Sequence, residues 1–184
     1  NPEREADGKR EVDFSRDLYI ERSDFMEHPT KKFHRLSPGK EIRLQHAYYI
    51  TCDEVIKDEQ GNVVELLCSY DPASRGGWSP DGRKVKGTAH WVSAAAAVDS
   101  EVRLYSRLFA DENPNDGDFT DHLNPDSLVI IPHAKLEKSL ASAEQGTRYQ
   151  FLRQGYFVCD GKNKEGQPVF HRIVSLKDSC KKGN

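Results

Sequence analysis

Two short segments of the chain combine cationic, amide and aromatic side chains, the residue types that bind single-stranded RNA. They are KKFHRL at 31–36 and RYQFLRQGY at 148–156. Unpaired bases stack on aromatic rings or guanidinium planes and form hydrogen bonds along their edges, while Lys and Arg neutralise the phosphates. Composition alone leaves both segments open, because KKFHRL is equally typical of a solvated charged connector and RYQFLRQGY is more typical of an ordinary edge strand.

Signatures of common catalytic and metal sites do not occur in the sequence. It contains no GxxxxGKS/T phosphate loop, GxGxxG turn, HExxH metal pair or GxSxG nucleophile turn. The histidines lack metal-ligand spacing and the cysteines form no CxxC pair. These residues are His28, His34, His46, His90, His122, His133 and His171, with Cys52, Cys68, Cys159 and Cys180. We therefore expect no catalytic, metal-binding or cofactor-binding residue in this chain.

Charge is unevenly distributed along the 184 residues, although the formal net charge is only −3. Five basic residues between positions 31 and 46 are accompanied by one acid, Glu41. A second basic cluster, Arg83, Lys84 and Lys86, belongs to the segment GRKVKG, whose spacing is wrong for a nucleotide loop and favours a strand edge protected by lysines. Segment 111–126 carries six acids and no Lys or Arg, which predicts a surface excursion.

The composition is that of a globular protein, with 36% hydrophobic and 31% charged residues, which excludes collagen, coiled coils and wholesale disorder. The longest apolar run, at 92–98, is far shorter than the roughly 18 to 20 residues that span a bilayer. The cysteine pattern and the lack of a signal peptide favour a reduced, cytoplasmic protein. The chain begins NPERE, without Met, so we expect a piece of a longer protein.

Two-residue alternation of apolar and polar side chains dominates the sequence and predicts strands with one buried face. The predicted strands lie at 17–22, 41–50, 48–56, 63–70, 84–92, 101–109, 128–131, 149–159 and 169–176, and a short amphipathic helical segment lies at 135–144. Because so many short strands must protect their edges, we predict a mainly all-β fold of two β-barrels in tandem, at 13–92 and 93–181, with approximate boundaries.

One hairpin is predicted from its turn. Residues 58–62 (DEQGN) separate two predicted strands, and Gly61 and Asn62 supply the positive φ that a tight turn needs. A hairpin about this turn places Cys52 near Cys68 on adjacent strands. We expect two buried thiols rather than a disulfide, because disulfides are rare in reducing compartments.

Seven collinear segments match one known family in order and with similar spacing. They are DLYIERSDF (17–25), RLSPGKEIRLQHAYYI (35–50), GRKVKGTAHWVSA (82–94), EVRLYSRLF (101–109), NPDSLVI (124–130), QFLRQGYF (150–157) and VFHRIVSLKDS (169–179). On these residues the chain resembles the C-terminal anticodon-binding domain of glutaminyl-tRNA synthetases, which are class I aminoacyl-tRNA synthetases. The resemblance implies two tandem β-barrels with a few short helical turns that grip the anticodon loop. Exchange of strands between the barrels, or a strand contributed by upstream chain, stays open.

The resemblance also implies the activity and partners of a longer protein. In this family an N-terminal catalytic domain with HIGH and KMSKS-type motifs uses ATP to activate glutamine and esterifies it to the glutamine tRNA. Neither motif occurs in this chain. We therefore expect a recognition module that is inactive in aminoacylation alone, with no cofactor of its own and ATP for the full-length enzyme. Its expected partners are the anticodon loop of the glutamine tRNA and the catalytic domain, with no membrane and no second copy, so the protein is expected to be a monomer.

The resemblance implies anticodon-binding roles for Lys32, His34, Arg35, Arg43, Gln45, Gln150 and Arg153. Arg35 matches an arginine that contacts an anticodon base, Gln150 a glutamine that reads the central uridine, and Arg153 a nearby arginine of the same strand. Lys32, His34 and Gln45 match by position only, since members of the family carry Gln, Lys and Arg there; that last arginine contacts the first anticodon base. Arg43, two residues from Gln45 on the same strand face, is expected to supply the displaced charge. A further arginine of the family's pocket belongs to a segment upstream of this chain.

Three other functions stay open from the sequence. Glutamyl-tRNA synthetases of the archaeal and eukaryotic type share this C-terminal architecture and read similar anticodons. A stand-alone RNA-binding β-barrel protein would lack a catalytic domain, and the upstream region of the gene, with or without HIGH and KMSKS motifs, separates that case. A purely structural or protein-binding barrel would not bind anticodon stem-loops.

Overall fold

The computed structural model describes residues 11–114 and 117–176. Strands dominate these residues, and the helices among them are four short 3-10 segments, Arg22–Asp24, Pro72–Ser74, Phe119–His122 and Lys138–Ser142. The strands are β1 (Leu18–Ile20), β2 (Glu41–Leu44), β3 (Tyr49–Lys57), β4 (Val63–Asp71), β5 (Thr88–Ala89), β6 (Trp91–Ser93), β7 (Val98–Tyr105), β8 (Leu128–Leu136), β9 (Arg148–Phe151), β10 (Gly155–Lys162) and β11 (Pro168–Val174). The prediction of a mainly all-β fold is confirmed.

The described strands form three sheets within two compact units. The N-terminal unit, Phe14–Ala94, holds a four-stranded sheet in the order β4-β3-β2-β5 and a two-stranded sheet of β1 and β6. The C-terminal unit contains the described residues from Ala95 onward, together with residues 11–13, and holds a five-stranded sheet in the order β8-β7-β11-β10-β9. Both larger sheets are mixed, because the β2–β5 and β7–β11 pairs are parallel and the others antiparallel.

Alternation along β2 fixes the core of the N-terminal unit. Ile42 and Leu44 are fully buried, whereas Glu41 and Arg43 are only partly buried. The two apolar side chains pack in a cluster completed by Leu36, Ala47, Ile50, Cys52 and Ala89. Burying one such Leu or Ile side chain contributes about 1.5–3 kcal/mol, so a one-residue slip of β2 would be strongly unfavourable. The core therefore fixes the direction in which Arg43 points.

Two predicted strands are interrupted by turns, and both predictions are wrong at that point. The strand predicted at 41–50 ends as β2 at Leu44, and the strand predicted at 149–159 is two strands, β9 and β10. The turns contain His46 at φ 57° and Arg153 at φ 66°, the non-glycine residues with positive φ in the part of the chain that the structure describes. Turn rules look for Gly, Asn and Asp at such positions, so these turns carry no ordinary sequence signal.

The β3–β4 hairpin forms about residues 58–62 as predicted, with one difference in its turn. Gly61 has φ 83°, but Asn62 does not have positive φ. Asp58 closes the turn instead, since its carboxylate accepts hydrogen bonds from the backbone N–H of Gln60 and from the backbone and side-chain nitrogens of Asn62.

Cys52 and Cys68 lie directly opposite each other in this hairpin. Both are free thiols, as expected, and Cys52 is buried. Cys68 is exposed, so the expectation that both thiols are buried is wrong for that residue. It lies near the middle of the outer strand β4, whose residues are mostly exposed.

Three further sequence predictions differ from the structure. The predicted strand at 84–92 is two short strands, β5 and β6, and GRKVKG is not a strand edge, because residues 82–87 have no strand structure. The strand predicted at 101–109 is β7, which starts and ends earlier. The helical segment predicted at 135–144 becomes the end of β8 followed by a 3-10 segment, although its apolar residues Leu136 and Leu140 do join the core.

The core of the C-terminal unit is built around aromatic rings. Val102, Leu140, Phe157, Cys159 and Phe170 are buried together. Phe151 stacks on Phe157, with 4.3 Å between the ring centroids, and also contacts Phe170. This packing holds β9 and β10 against β11. None of the helices within residues 11–114 and 117–176 is long and apolar enough to cross a membrane.

Candidate nucleic-acid interface

Backbone contacts bring three candidate segments of the N-terminal unit together. The parallel pairing of β2 and β5 places Arg43 opposite Thr88, and Gln45 donates its backbone N–H to Ala89 O at 3.0 Å. His34 joins them because Gly87, just before β5, lies so close to the His34 carbonyl that an added Cβ would be 2.3 Å from that oxygen. Only a residue without a side chain fits there. The positions of His34, Arg43 and Gln45 are therefore coupled through β5.

Arg35 is tied to the fold as well as being a candidate base contact. Its Nη1 lies 2.9 Å from Asp24 Oδ1 and donates to Ser23 O at 3.1 Å. The Asp24 side chain is 0% exposed and that of Arg35 is 41% exposed. A buried carboxylate is strongly unfavourable without a cation or hydrogen-bond donors, so Arg35 stabilises the 3-10 segment that contains Asp24. The other guanidinium nitrogens, Nε and Nη2, have no partner among the described residues.

Arg43 lies at the base of an exposed loop. Its Nη2 donates to Thr88 Oγ1 at 3.0 Å, and its guanidinium carbon lies 5.6 Å from the centroid of the Trp78 ring, which is a cation–π arrangement. Gln45 lies inside the predicted strand 41–50 but follows the end of the observed strand β2, and the alternation of burial continues through it. Arg43 and Gln45 are therefore both on the less buried side, opposite Ile42 and Leu44.

Lys32 and His34 lie in the segment before this cluster. Lys32 is exposed in a turn where Phe33 donates its N–H to Thr30 O at 2.9 Å. His34 is exposed, and Lys40 donates to the neighbouring Phe33 carbonyl at 2.8 Å. The structure gives neither Lys32 nor His34 a polar side-chain contact among the described residues, so both are accessible to a ligand.

Arg83 is paired with three carboxylates and is therefore not available to bind an anionic ligand. Its guanidinium pairs with Glu41 at 2.8 Å, Asp71 at 2.6 Å and Asp81 at 2.7 Å. The hydrogen bonds that Arg83 donates to these carboxylates, to Glu41 first, raise the pKa of Arg83 above its ordinary value. In return, hydrogen bonds from Ser79 and Arg83 lower the pKa of Asp81 to about 2. The cluster 83–86 therefore offers Lys84 and Lys86, both exposed, and not Arg83, to an anion.

In the C-terminal unit, Gln150 is exposed on the outer face of β9, directly opposite Tyr156 of β10. The neighbours Tyr149 and Phe151 point to the other face, where they pack against Phe170. Tyr156 is 46% exposed, and the Gln150 amide has no hydrogen-bond partner among the described residues. An amide and an aromatic ring thus share one open surface of the C-terminal sheet.

Arg153 is not on the same strand as Gln150, which corrects that prediction. It is exposed in the β9–β10 turn with left-handed backbone, at φ 66°. His46, the other non-glycine residue with positive φ in the described chain, directly follows Gln45. Such conformations cost of order 1–3 kcal/mol and often mark ligand-binding sites. Both strained residues lie at or beside a predicted anticodon-binding position.

Two exposed aromatic residues of these surfaces were not predicted as site residues. Trp78 lies in segment 72–82, which is rich in Pro and Gly and predicts only an exposed loop, and Tyr156 lies in segment 148–156, which is more typical of an ordinary edge strand. The sequence could have indicated both residues, because each is an aromatic residue to which the alternating pattern assigns no place in the core. No group of three or more His, Cys, Asp or Glu residues is arranged to hold a metal ion within the described ranges.

Comparison with protein families gives two matches that together cover most of the chain. Both family models are described as the anticodon-binding domain of class I tRNA synthetases (E and Q), and they match residues 1–71 and 88–160. The first match contains the positions from Lys32 to Gln45, and the second contains Gln150 and Arg153.

Curated relatives match along nearly the whole chain. The glutamine–tRNA ligase of Bradyrhizobium diazoefficiens is 52% identical over 182 residues, which are 99% of this chain and 33% of that protein. The glutamine–tRNA ligase of Clostridium kluyveri is 51% identical over 185 residues, or 98% of this chain and 33% of that protein. That of Pseudomonas syringae pv. tomato is 52% identical over 177 residues, or 94% of this chain and 31% of that protein. The chain spans about a third of the length of these relatives.

Proposed function

The chain belongs to the anticodon-binding domains of the class I tRNA synthetases for glutamate and glutamine, and we propose that it binds the anticodon loop of the glutamine tRNA within a glutamine–tRNA ligase. The observation that carries this proposal is the exposed pair of Gln150 and Tyr156 on the C-terminal sheet. A side-chain amide both donates and accepts, so Gln150 can pair with a uridine edge, which presents both kinds of group. Tyr156 offers a ring for the same or a neighbouring base.

The N-terminal unit carries its own set of proposed RNA contacts. Arg35 uses Nη1 to hold Asp24 and keeps Nε and Nη2 for a base edge. Arg43 and Gln45 present a guanidinium and an amide from one strand face, beside the exposed Lys32 and His34. Amide and cationic groups of this kind recognise unpaired bases and their phosphates. Arg153 adds a cation at the β9–β10 turn of the C-terminal unit.

We also propose that each unit corresponds to one of two anticodon-binding β-barrels, at about 13–92 and 93–181. Each unit contains a mixed sheet in which one parallel pair joins strands that are far apart in the sequence, and this supports the arrangement. At the outer edge of the C-terminal sheet, β8 leaves four consecutive apolar residues, Leu128 to Ile131, 40–50% exposed. This apolar edge supports the proposal that an upstream strand completes the second barrel in the longer protein.

The catalytic step is proposed to occur outside this chain. The relatives are about three times as long, so the ATP-dependent attachment of glutamine to tRNA is assigned to an N-terminal catalytic domain of the same polypeptide. We propose that the whole protein works as a monomer in the cytoplasm, where the tRNAs used in translation are charged. The glutamyl-tRNA synthetase alternative has less support, because the relatives compared above are glutamine–tRNA ligases.

The test is binding of the chain to an RNA hairpin that carries the anticodon loop of the glutamine tRNA, and to a second hairpin altered only at the central anticodon base. The wild-type chain should prefer the native hairpin, with binding that weakens steeply as salt increases. Gln150→Ala should lose the preference, and Gln150→Glu should also weaken binding, because it removes a donor and adds a negative charge near phosphate. Gln60→Ala is the matched control, since Gln60 is an exposed amide in the β3–β4 turn.

An undiminished preference for the native base in Gln150→Ala would show that Gln150 is only a strand residue. Absence of binding by the wild-type chain to either hairpin, at low salt, would contradict the proposed function as a whole.

A further inference from the structure

Trp78 is the most exposed large apolar residue of the described chain, with 75% of its surface accessible. It lies in the loop that follows the 3-10 segment Pro72–Ser74. One face of its ring is covered by the Arg43 guanidinium, whose central carbon is 5.6 Å from the ring centroid. The opposite face has no ring partner among the described residues, so an open aromatic surface is presented on top of a cation.

The loop that carries Trp78 is fixed at both ends. Before Trp78, the buried Ser74 hydroxyl accepts from Tyr49 N at 2.7 Å and donates to Asp71 O at 2.6 Å. After Trp78, Arg83 donates to Ser79 Oγ at 2.6 Å and pairs with the carboxylate of Asp71 at 2.6 Å. A loop held in this way loses little conformational entropy when a ligand binds, which favours recognition.

Gly77 allows the loop to approach Arg43. It has φ +87°, and a Cβ added to it would lie 3.0 Å from Arg43 Cδ and 3.8 Å from His46 N. A side chain at this position would be strained and would push Arg43 away from its place beneath Trp78. Thr88 holds the other side of Arg43, since its Oγ1 accepts from Nε at 3.3 Å and from Nη2 at 3.0 Å.

We propose that Trp78 is a stacking platform for an unpaired base of the RNA that the N-terminal unit binds, with Arg43 beneath the ring as a positively charged support. This inference rests on the proposed function and adds to it a contact that does not depend on base identity, because every base has a π face. The exposed Arg75 and Lys84 near the ends of the loop favour a polyanion over an apolar protein surface.

The platform can be tested by the fluorescence of the chain itself. The sequence contains two tryptophans, and the second, Trp91, is half-buried with its Nε1–H donated to Gln45 O at 3.0 Å. Stacking of a base on Trp78 should therefore quench the more exposed part of the emission when the anticodon hairpin is added. Trp78→Ala should abolish this quenching and weaken binding by about 5- to 150-fold, which is the range for loss of one base–aromatic stack. Trp78→Phe should retain most of the affinity.

Salt dependence separates stacking from charge. Trp78→Ala should leave the slope of log affinity against log salt unchanged, because no phosphate contact is lost, whereas Arg43→Gln should reduce that slope. Phe119→Ala is the matched control, since Phe119 is also an exposed aromatic residue, 60% accessible, but lies in the acidic segment of the C-terminal unit. It should bind the hairpin as the wild type does.

Wild-type affinity and quenching in a folded Trp78→Ala variant would overturn the platform and leave the proposed function intact. An equal loss of affinity in Phe119→Ala would also overturn it, because the effect would then not belong to this loop. Failure of the wild-type chain to bind the hairpin would instead remove the proposed function on which the inference rests.

Discussion

Replacing Arg35 by Ala is expected to destabilise the fold as well as RNA binding, because its guanidinium pairs with the fully buried Asp24. Exposed ion pairs contribute about 0.2–1 kcal/mol, whereas breaking a buried pair costs about 3–5 kcal/mol. Here one partner is 0% and the other 41% exposed, so we expect a loss of about 1.5–3 kcal/mol in the free energy of unfolding. For a chain of this length that lowers the Tm by roughly 3–12 °C.

The cost should come mainly from the buried carboxylate that Arg35→Ala leaves behind. Asp24→Asn removes that charge in advance, so Arg35→Ala should cost much less in the Asp24→Asn background than in the wild type. Urea unfolding of the wild type, both single variants and the double variant measures this difference. Arg16→Ala, a change at an exposed arginine, is the control and should unfold as the wild type does.

The same variants separate folding from recognition. Arg35→Ala in the Asp24→Asn background should still bind the anticodon hairpin more weakly than Asp24→Asn alone, if Nε and Nη2 contact a base as proposed. An equal destabilisation by Arg35→Ala in both backgrounds would refute the reasoning about the buried carboxylate. If the double variant, Arg35→Ala with Asp24→Asn, bound the hairpin as tightly as Asp24→Asn alone, Arg35 would act only through the fold.

Two further predictions concern ionisation. The pKa of Asp81 is lowered to about 2, so its contribution to stability is complete above the ordinary aspartate pKa of about 4 and is lost as the pH falls toward 2. Asp81→Asn should therefore reduce the dependence of the urea unfolding midpoint on pH over that range. Glu59→Gln, at an exposed turn position, should leave that dependence unchanged. Cys68 is exposed as a residue, but desolvation of its sulfur by neighbouring atoms, together with the Cys52 thiol, raises the pKa of Cys68 to about 12. In a Cys180→Ser background, the peptide containing Cys68 should therefore be alkylated at neutral pH much more slowly in the native than in the unfolded chain, as measured by mass spectrometry. Fast native alkylation would contradict the raised pKa.

The sequence predicts the β elements where alternation and turn chemistry agree. The β3–β4 hairpin follows from apolar alternation on both sides of a segment that contains Gly61, and the buried Ile42 and Leu44 follow from the same period. The turns at His46 and Arg153 could not be predicted, because residues other than glycine rarely adopt the left-handed backbone and neither position carries the Gly, Asn or Asp that marks such turns. Tertiary packing on either side imposes these turns, and each lies at or next to a proposed recognition residue.

The proposed site was located by resemblance, and its internal contacts required the structure. No spacing rule links Arg35 to Asp24, or Arg83 to Glu41 and Asp71, because these pairs come from different elements. Counting basic residues in the sequence therefore overestimates the number of cations near position 83 that can bind RNA. It also gave no reason to select Trp78, whose role depends on the closeness of Gly77 to Arg43.

The close approach of Gly87 to the His34 carbonyl has a genetic consequence. A side chain at this position would meet backbone on one side and Ile42 on the other, with an added Cβ 2.7 Å from Ile42 Cγ2. Separating these segments would displace several proposed readers at once, although Gly87 itself has no side chain with which to read a base. A screen for variants that charge the wrong tRNA, or that grow only at low temperature, should therefore recover substitutions at Gly87 together with those at the contact residues, and the two classes would be told apart by their melting temperatures.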